Sequence, residues 1–203
     1  MRLILASRNA HKLVELRVLC GLPDECLLPA TECPGAPDPD ENADTFVGNA
    51  LIKARALRDF SGEWALADDS GLEVDALGGA PGVRSARYAG AHGDDGANNA
   101  LLLRNLAALG PRASRACHFS CALALAAPDG REFVAVGQCP GTLLHEGRGT
   151  NGFGYDPLFL PDGHDRTFAE LPRETKCGFS HRAVAAARMR VVLRALFPGV
   201  VRP

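Results

Sequence analysis

The residues whose types are best suited to bind a charged ligand lie at the start of a predicted helix. In the segment ASRNAHKLVEL, residues 6–16, Arg8, His11 and Lys12 surround Asn9, which is a favourable N-cap. A helix N-terminus carries partial positive charge, so cations are slightly unfavourable there. A bound phosphate would reverse this sign, because the backbone amides, the helix dipole and Lys12 would all attract it. A solvated lysine on a surface helix is the alternative interpretation.

The last predicted helix repeats this pattern. Ser180 is its predicted N-cap, His181 and Arg182 follow at once, and Lys176 lies just upstream. Two helices with cations at their positive ends indicate one anionic ligand held by both. The glycine-rich segment at residues 149–157 can bring backbone close to such a ligand, but it lacks the G-x-x-x-x-G-K-[ST] pattern of a P-loop. An ordinary loop is the alternative for that segment.

Two adjacent acids, Asp68 and Asp69, stand at the end of a predicted buried strand at residues 64–68, where the chain is expected to turn through Ser70 and Gly71. Ligands of α/β sheets usually lie at the carboxyl ends of strands, which is where these acids are expected. Neighbouring carboxylates repel each other, and a Mg²⁺ ion would ease their proximity. The alternative is a turn in which the aspartates and Ser70 serve only as caps.

Three further polar residues extend this set. Glu41 lies in an acidic loop before the second predicted helix, and Asn49 and Lys53 share one face of that helix at spacing i, i+4. A solvated loop acid and a polar surface stripe are the alternatives. With Phe153 as an aromatic partner for a base, the chain carries hard oxygen ligands, lysines and a stacking surface. Such an inventory suits a Mg²⁺-bound nucleotide.

Helices and strands alternate along the first part of the chain, and a long hairpin follows. This order predicts an α/β protein with a mixed central sheet and flanking helices. No linker is long enough to impose a domain boundary, so a single domain is expected. The predicted strands are residues 2–7, 64–68, 116–126 and 131–139, and residues 26–28 and 72–74 are candidates for two further short strands. The predicted helices are residues 9–20, 45–60 (capped by Asp44), 98–109 and 180–197.

Composition narrows the classes of partner. The chain has 203 residues and a net charge of -2, so no global basic field is present for nucleic acid, and any anion must be captured locally. No apolar run approaches the roughly 18 residues of a membrane span, and no signal peptide pattern is present. Seven cysteines without a C-x-x-C pair favour reduced thiols in a cytoplasmic protein over zinc or disulfides.

Six ordered segments together resemble a known family. The chain is similar to the non-canonical purine nucleoside triphosphate pyrophosphatases, the inosine/xanthosine triphosphate pyrophosphatase or Ham1-like family, over nearly its whole length. The matching segments are SRNAHK (7–12), Glu41 with TFVGNALIKA (45–54), ADDSGLEV (67–74), GGAPGVRSARY (78–88), GFGYDP (152–157) and SHR (180–182).

The resemblance implies a fold and an activity. It implies one ITPase-like domain over residues 1–203, with two lobes around a substrate cleft, and a homodimer. It also implies Mg²⁺-dependent hydrolysis of ITP, dITP and XTP to the monophosphate and pyrophosphate, which removes deaminated purines from the nucleotide pool.

The family roles transfer to individual residues of this chain. Asp69 matches the catalytic acid, a general base and metal ligand, and Glu41 and Asp68 match acids at the Mg²⁺ site. Arg8 departs from the family, because many members carry a small residue there. The implied substrate-binding residues are Ser7, Arg8, Asn9, Ala10, His11, Lys12, Asn49, Lys53 and Ser70 for the phosphates and their surroundings, and Phe153, Gly154, Tyr155, Asp156, Lys176, His181 and Arg182 for the base.

Two other functions compete with this interpretation. One is a Maf-like nucleotide pyrophosphatase acting on dTTP or UTP, against which the segments at residues 153–156 and 180–182 argue. The other is a nucleotide-binding sensor that has lost catalysis. Glu41, Asp68, Asp69 and Lys12 are all present, so the chain shows no obvious loss of catalytic groups.

Overall fold

The structure is a computed structural model that describes residues 2–7 and 9–202. Six strands and five α-helices lie within these ranges. The strands are β1 Leu3–Leu5, β2 Leu27–Pro29, β3 Trp64–Val74, β4 Ala116–Ala126, β5 Glu132–Leu143 and β6 Phe159–Pro161. The helices are α1 Ala10–Cys20, α2 Phe46–Ser61, α3 Asp95–Ala108, α4 Arg173–Phe179 and α5 His181–Leu196.

The six strands form one mixed sheet, which confirms the predicted α/β class. Their order is β2-β1-β3-β4-β5-β6. β1 runs parallel to both β2 and β3, with Leu3 opposite Leu27 and Trp64, whereas β5 and β6 are antiparallel. Because β1 is buried on both faces, its apolar run Leu3–Leu5 is what a central strand requires.

The first two helices begin at side-chain caps. Asn9 caps α1 as predicted, since its side chain accepts hydrogen bonds from the backbone N–H groups of His11 and Lys12. The prediction that Asp44 caps α2 is wrong. Thr45 does so by accepting from the N–H of Gly48, and the helix begins at Phe46. Aspartate and threonine are both favourable N-caps, and here it is the Thr45 hydroxyl that accepts a hydrogen bond from a backbone N–H of the first turn.

The acidic pair does not end its strand, contrary to the prediction. β3 continues through Asp68, Asp69 and Ser70 to Val74. Ion pairs with Lys12 and Lys53 neutralise the charges of the two carboxylates within the sheet, so the chain does not have to turn toward solvent there. Gly71 fits this course because a Cβ there would collide with Ser85, whose hydroxyl accepts a hydrogen bond from Leu72 N–H.

Other boundaries also differ from the sequence-based ones. α3 begins three residues earlier than expected, at Asp95, because Asp94 caps it through the N–H of Ala97. The short elements β6 and α4 were not predicted. At such lengths neither periodicity nor capping gives a distinctive pattern.

The chain divides into two compact units. Unit 1 comprises the chain up to Asp69, Cys121–Gly137 and the chain from Arg182 onward, and unit 2 comprises Ser70–Ser120 and Gln138–His181. Each unit has its own apolar core. That of unit 1 includes Leu3, Leu5, Leu16, Leu66, Leu123, Met189 and Leu193, and that of unit 2 includes Leu72, Leu102, Phe119, Phe159, Phe168 and Leu171.

Within residues 2–7 and 9–202, every helix is either too short or too polar to span a lipid bilayer. All seven cysteines lie in these ranges and are free thiols.

Candidate functional site

Unit 1 gathers the predicted cations and acids around β3. The ammonium nitrogen of Lys12 lies 2.5 Å from Asp68 Oδ1. On the other oxygen of the same carboxylate, Arg182 Nε donates a hydrogen bond to Asp68 Oδ2 at 2.8 Å. The start of α1, the middle of β3 and the start of α5 are thereby joined through one buried aspartate.

A second acid completes this group. Arg182 Nη1 donates to Glu15 Oε2 at 3.2 Å, and Arg182 is only 1% exposed. Burial alone would raise the pKa of Asp68, but Arg182 and Lys12 outweigh it and hold that pKa well below its usual value. Two cations and two anions therefore share a dry environment, where each charge depends on its partners.

The neighbouring aspartate pairs with a different lysine. Lys53 Nζ lies 2.7 Å from Asp69 Oδ1 and 3.4 Å from Glu41 Oε1. Burial lowers the pKa of Lys53, but the carboxylates of Asp69 and Glu41 outweigh that effect and raise it. Lys53 of α2 therefore contacts both β3 and the acidic loop that precedes the helix.

Asp69 has a titration that suits a proton acceptor. Burial raises the pKa of Asp69 to about 6, although Lys53 acts in the opposite direction. Its second oxygen, Oδ2, is buried and has no hydrogen-bond partner among the described residues. A buried carboxylate oxygen without a partner is unfavourable, which indicates that a ligand occupies this position in the working protein.

The raised pKa of Asp69 predicts that metal-free protein loses stability as pH rises. The folded state keeps this proton up to about pH 6, whereas an unfolded chain releases it at about pH 3.9. The stabilisation is present below the lower value and is lost as pH rises through the upper one. Relative to Asp69→Asn, the free energy of unfolding of the wild type should fall by about 2 kcal/mol between about pH 4.5 and about pH 7.5.

Urea unfolding of both proteins with a chelator present measures this difference. A difference that stays constant across the pH range would mean that Asp69 titrates as it does in the unfolded chain.

The other described residues of the first predicted phosphate segment lie at the start of α1. Ser7 Oγ accepts a hydrogen bond from Asn9 N–H at 3.1 Å, and Asn9 caps α1. Ala10 and His11 are exposed in the first turn. Arg8 lies outside the described residues. The phosphate site predicted at this helix N-terminus therefore has two exposed residues in its first turn, and its use by an anion stays a prediction.

Asn49 and Ser70 are placed differently from one another. Asn49 is fully buried, and its Oδ1 accepts from the backbone N–H of Ala43, so that it ties the loop before α2 to the helix. Ser70 lies within β3 and is partly exposed. The observed contact gives Asn49 a structural task in addition to any contribution to a phosphate wall.

Unit 2 holds a separate cluster of an aromatic ring, an acid and a lysine. Lys176 Nζ lies 2.5 Å from Asp156 Oδ2 and 5.6 Å from the centre of the Phe153 ring. The same carboxylate oxygen accepts the backbone N–H of Phe153 at 3.1 Å. Phe153 is 39% exposed, so its ring face is available to a flat ligand.

Hydrogen bonds with two residues of α3 hold this glycine-rich loop. Gly154 N–H donates to Asp95 Oδ2 at 2.6 Å, and Asn99 Nδ2 donates to Gly154 O at 2.9 Å. Tyr155 is buried and donates its hydroxyl to Ser85 O. The buried Tyr155 therefore anchors the loop to the interior of unit 2, while Phe153 stays exposed.

His181 lies in the aromatic core of unit 2. It is 4% exposed and stacks on Phe119 with ring centres 4.7 Å apart. Phe168 lies next to both rings. This packing fixes the orientation of the imidazole. Its immediate neighbour Arg182 contacts Asp68 and Glu15 in unit 1, so a role for Arg182 at the 6-position of a purine would require those contacts to be shared.

The residues at Asp69 fit a hard divalent cation. Glu41 and Asp69 supply carboxylate oxygens that approach one point, the position of Lys53 Nζ, and Asp69 Oδ2 is an orphaned buried acceptor. Across the described ranges, no group of three or more His, Cys, Asp or Glu side chains forms a ready metal cage. Two protein carboxylates with water and substrate phosphate match the usual coordination of Mg²⁺.

Sequence reasoning missed several supporting residues. Glu15 lies one turn beyond Lys12 on α1, and this spacing was the signal that they share a face. Asp95 and Asn99 are likewise one turn apart on α3 and hold the loop at Gly154. No local pattern links them to a loop more than fifty residues later in the chain.

These features define an α/β protein in which unit 1 presents a cation-and-carboxylate cluster suited to a metal-bound polyphosphate, and unit 2 presents an exposed ring beside a lysine. Residues 3–192 match the sequence profile of the Ham1 family. The chain belongs to that family, which confirms the resemblance drawn from its motifs.

Individual relatives match over nearly their full length. The dITP/XTP pyrophosphatase of Streptomyces avermitilis is 52% identical over 198 residues, covering 96% of this chain and 98% of that protein. The structure of a HAM1 protein from Coxiella burnetii has a TM-score of 0.88 at 40% identity and covers 96% of this chain and 99% of its own. For the Staphylococcus aureus Ham1 protein the TM-score is 0.87 at 36% identity, with coverage of 97% and 100%. Nucleotide pyrophosphatases generally work with a divalent metal ion.

Proposed function

We propose that this protein hydrolyses the deaminated purine nucleoside triphosphates ITP, dITP and XTP to the monophosphate and pyrophosphate, with Mg²⁺ as cofactor. The printed activity of the Streptomyces avermitilis relative, dITP/XTP pyrophosphatase, supports the reaction and the substrate class. Such an activity keeps deaminated bases out of the nucleotide pool.

The observation that carries the proposal is that two adjacent carboxylates of β3 each pair with a lysine from a different helix. Asp68 holds Lys12, and Asp69 holds Lys53, so that two ammonium groups are positioned by two neighbouring carboxylates. A polyphosphate needs cations at several oxygens, and hydrolysis needs a proton acceptor beside them. Unit 1 contains both.

In the proposed mechanism the phosphates bind at the start of α1. Lys12 and the N–H groups of the first turn attract phosphate oxygens, with Ser7, Asn9, Ala10 and His11 around them. Lys53 contributes a second charge. Arg8 stays in the proposed set on the strength of the sequence motif alone.

Asp69 is the proposed catalytic residue. Its Oδ2 would accept the proton of the attacking water, and its pKa of about 6 leaves it mostly ionised at neutral pH. Asp69 and Glu41 would also hold Mg²⁺, which neutralises phosphate charge and stabilises the leaving pyrophosphate. In the ligand-free protein Lys53 holds the Asp69 carboxylate through Oδ1 and leaves Oδ2 without a protein partner among the described residues.

Asp68 has an indirect part in this proposal. Both of its oxygens already carry ion pairs, with Lys12 at Oδ1 and Arg182 at Oδ2. We therefore place Asp68 beside the metal ligands as the residue that orients Lys12. Arg182 in turn fixes Asp68, and a shared contact of its guanidinium with the base remains part of the proposal.

Unit 2 is proposed to bind the purine. Phe153 would stack on the base, and Gly154, Tyr155 and Asp156 would shape its loop. Ser70 and Asn49 keep the phosphate-side roles that the sequence motifs assign to them. A 6-oxo purine presents an acceptor where adenine presents a donor. Hydrogen-bond donors such as Arg182, Lys176 and the ring N–H of His181 would favour the oxo group.

Product analysis tests the reaction. The protein is incubated with Mg²⁺ and, in separate samples, ITP, XTP, dTTP, ATP or GTP, and products are separated by ion-exchange chromatography. Inosine monophosphate with pyrophosphate is the expected outcome. Inosine diphosphate with orthophosphate would place the cleavage elsewhere, faster turnover of dTTP would favour the Maf-like alternative, and binding without turnover would favour the sensor.

Substitution of Phe153 by Ala is expected to lower kcat/KM for ITP by about tenfold, mainly through KM. Stacking of a base on an aromatic ring contributes about 1–3 kcal/mol, and Phe153 is exposed enough to provide it. Steady-state kinetics measure the effect. Phe60→Ala is the matched control, because Phe60 is 51% exposed on α2 and has no proposed role. Equal losses in both variants would exclude specific stacking.

The remaining sequence-based expectations form part of the same proposal. We propose that both units act as a single ITPase-like domain, that the protein is a cytoplasmic homodimer, and that its partner is the nucleotide substrate rather than nucleic acid or membrane. Light scattering coupled to gel filtration tests the dimer, and a mass of one chain would contradict it.

A further inference from the structure

In unit 1 a single ammonium group stands between the two carboxylates that a metal would need. Lys53 Nζ lies 2.7 Å from Asp69 Oδ1 and 3.4 Å from Glu41 Oε1. We infer that Lys53 is an internal competitor of the metal, so that a divalent cation binds nucleotide-free protein only when this ammonium leaves Asp69 and Glu41. The inference rests on the proposed function, because it concerns the metal and the nucleotide of that site.

Electrostatics make the competition strong. Lys53 and Asp69 have side chains only 13% and 10% exposed, so water screens their charges weakly. A divalent cation bonded to the Asp69 carboxylate would lie within a few ångströms of the ammonium if Lys53 stayed in place. Like charges at that separation repel, and the repulsion subtracts directly from metal affinity.

Asp69 itself shows that a second cation is expected. Oδ1 accepts from Lys53, whereas Oδ2 is buried without a hydrogen-bond partner among the described residues, and the residue is 93% buried. An unpartnered carboxylate oxygen at this depth is satisfied by a bound cation or by water that the cation carries. The carboxylate thus keeps one acceptor for a cation, while the lysine on its other oxygen opposes that cation by its charge.

Lys53 borders a cavity into which its side chain can move, and a bound phosphate would attract it there. It lines a cavity of about 300 Å³ within unit 1, together with Ser7 and the segment of residues 30–39. Its stem of four carbons allows the ammonium to turn away from the acids without motion of α2. Phosphate oxygens of a nucleotide are the natural acceptors for the displaced charge.

This arrangement couples the two ligands. A triphosphate that takes Lys53 from Asp69 and Glu41 exposes both carboxylates to the metal, and by reciprocity the metal releases Lys53 for the phosphate. Metal and nucleotide therefore bind with positive cooperativity, and the protein alone binds the metal weakly.

Direct metal titration tests the inference. Mn²⁺ is titrated into nucleotide-free protein at about pH 8, and free Mn²⁺ is measured by electron paramagnetic resonance. Lys53→Met should bind Mn²⁺ at least about tenfold more tightly than the wild type, because the competing charge is gone. Arg55→Met is the matched control on α2, since Arg55 pairs with the distant Glu132 and should leave affinity unchanged.

Unchanged or weaker Mn²⁺ binding by Lys53→Met would overturn the inference, because it would mean that the lysine does not oppose the metal. If circular dichroism shows that this variant does not fold, Lys53→Gln replaces it. Wild-type protein gives an independent measurement. Millimolar Mg²⁺ should increase reductive methylation of Lys53 several-fold, as measured by mass spectrometry, with Lys176, paired to Asp156, as the internal reference. Equal labelling with and without Mg²⁺ would contradict displacement.

These measurements need neither nucleotide nor turnover. A protein that shows the predicted Mn²⁺ and labelling results but cleaves no triphosphate would refute the proposed function alone. A protein that cleaves ITP, with Lys53→Met identical to the wild type in Mn²⁺ affinity, would refute the competition alone.

Discussion

Asp69→Asn is expected to lower kcat for ITP by about 10³-fold or more, with the fold retained. The amide has the size of the carboxylate, so it can still accept from Lys53, but it cannot take a proton from water at Oδ2 and is a poor ligand for Mg²⁺. General base catalysis alone contributes about 10²–10⁴-fold, and loss of the metal adds to it. Initial rates of pyrophosphate release at saturating ITP measure the effect.

Asp59→Asn is the control for this experiment. Asp59 is an exposed acid at the end of α2 that pairs with Arg58, and its replacement should leave kcat unchanged. Circular dichroism spectra of both variants should match the wild type. If Asp69→Asn turned over ITP within threefold of the wild-type rate, Asp69 would have no part in proton transfer or metal binding.

Arg182→Met is expected to destabilise the protein by about 3–5 kcal/mol, because it leaves buried carboxylates without their cation. Asp68 would lose the hydrogen bond from Nε at Oδ2 while Lys12 stays at Oδ1, and Glu15 would lose its bond from Nη1. Methionine preserves most of the side-chain volume, so the loss reports charge rather than a cavity. Urea unfolding at neutral pH measures the change.

A double-mutant cycle separates this network from general damage to the helix. Adding Glu15→Gln to Arg182→Met should recover part of the lost stability, because it removes one unpaired buried charge. Arg188→Met is the matched control on α5, where Arg188 bonds the carbonyl of Val136 at the surface and should contribute little. Additive losses in the double variant would show that Arg182 and Glu15 do not act together.

Local rules predicted part of this fold correctly for identifiable reasons. The cap at Asn9 and the glycine that ends α1, Gly21 with φ 64°, depend only on neighbouring backbone groups. The buried strand β1 and the mixed sheet follow from the order and periodicity of apolar residues. The end assigned to β3 failed, because a pair of aspartates in a sheet looks unfavourable until the lysines that neutralise them are known.

For the candidate site, too, some features follow from local sequence and others depend on tertiary contacts. The sequence by itself determined the family, the α/β class and the residue types proposed to bind phosphate and metal, because these depend on ordered motifs. Only the tertiary structure decided which charges are partners. Asp68 meets Lys12 and Arg182, which are 56 and 114 positions away along the chain, whereas the adjacent Asp69 meets Lys53 and leaves one oxygen unpaired. Alternate residues of a strand point to opposite faces, so neighbours in sequence receive different partners, and no local pattern records which partner packs against which face.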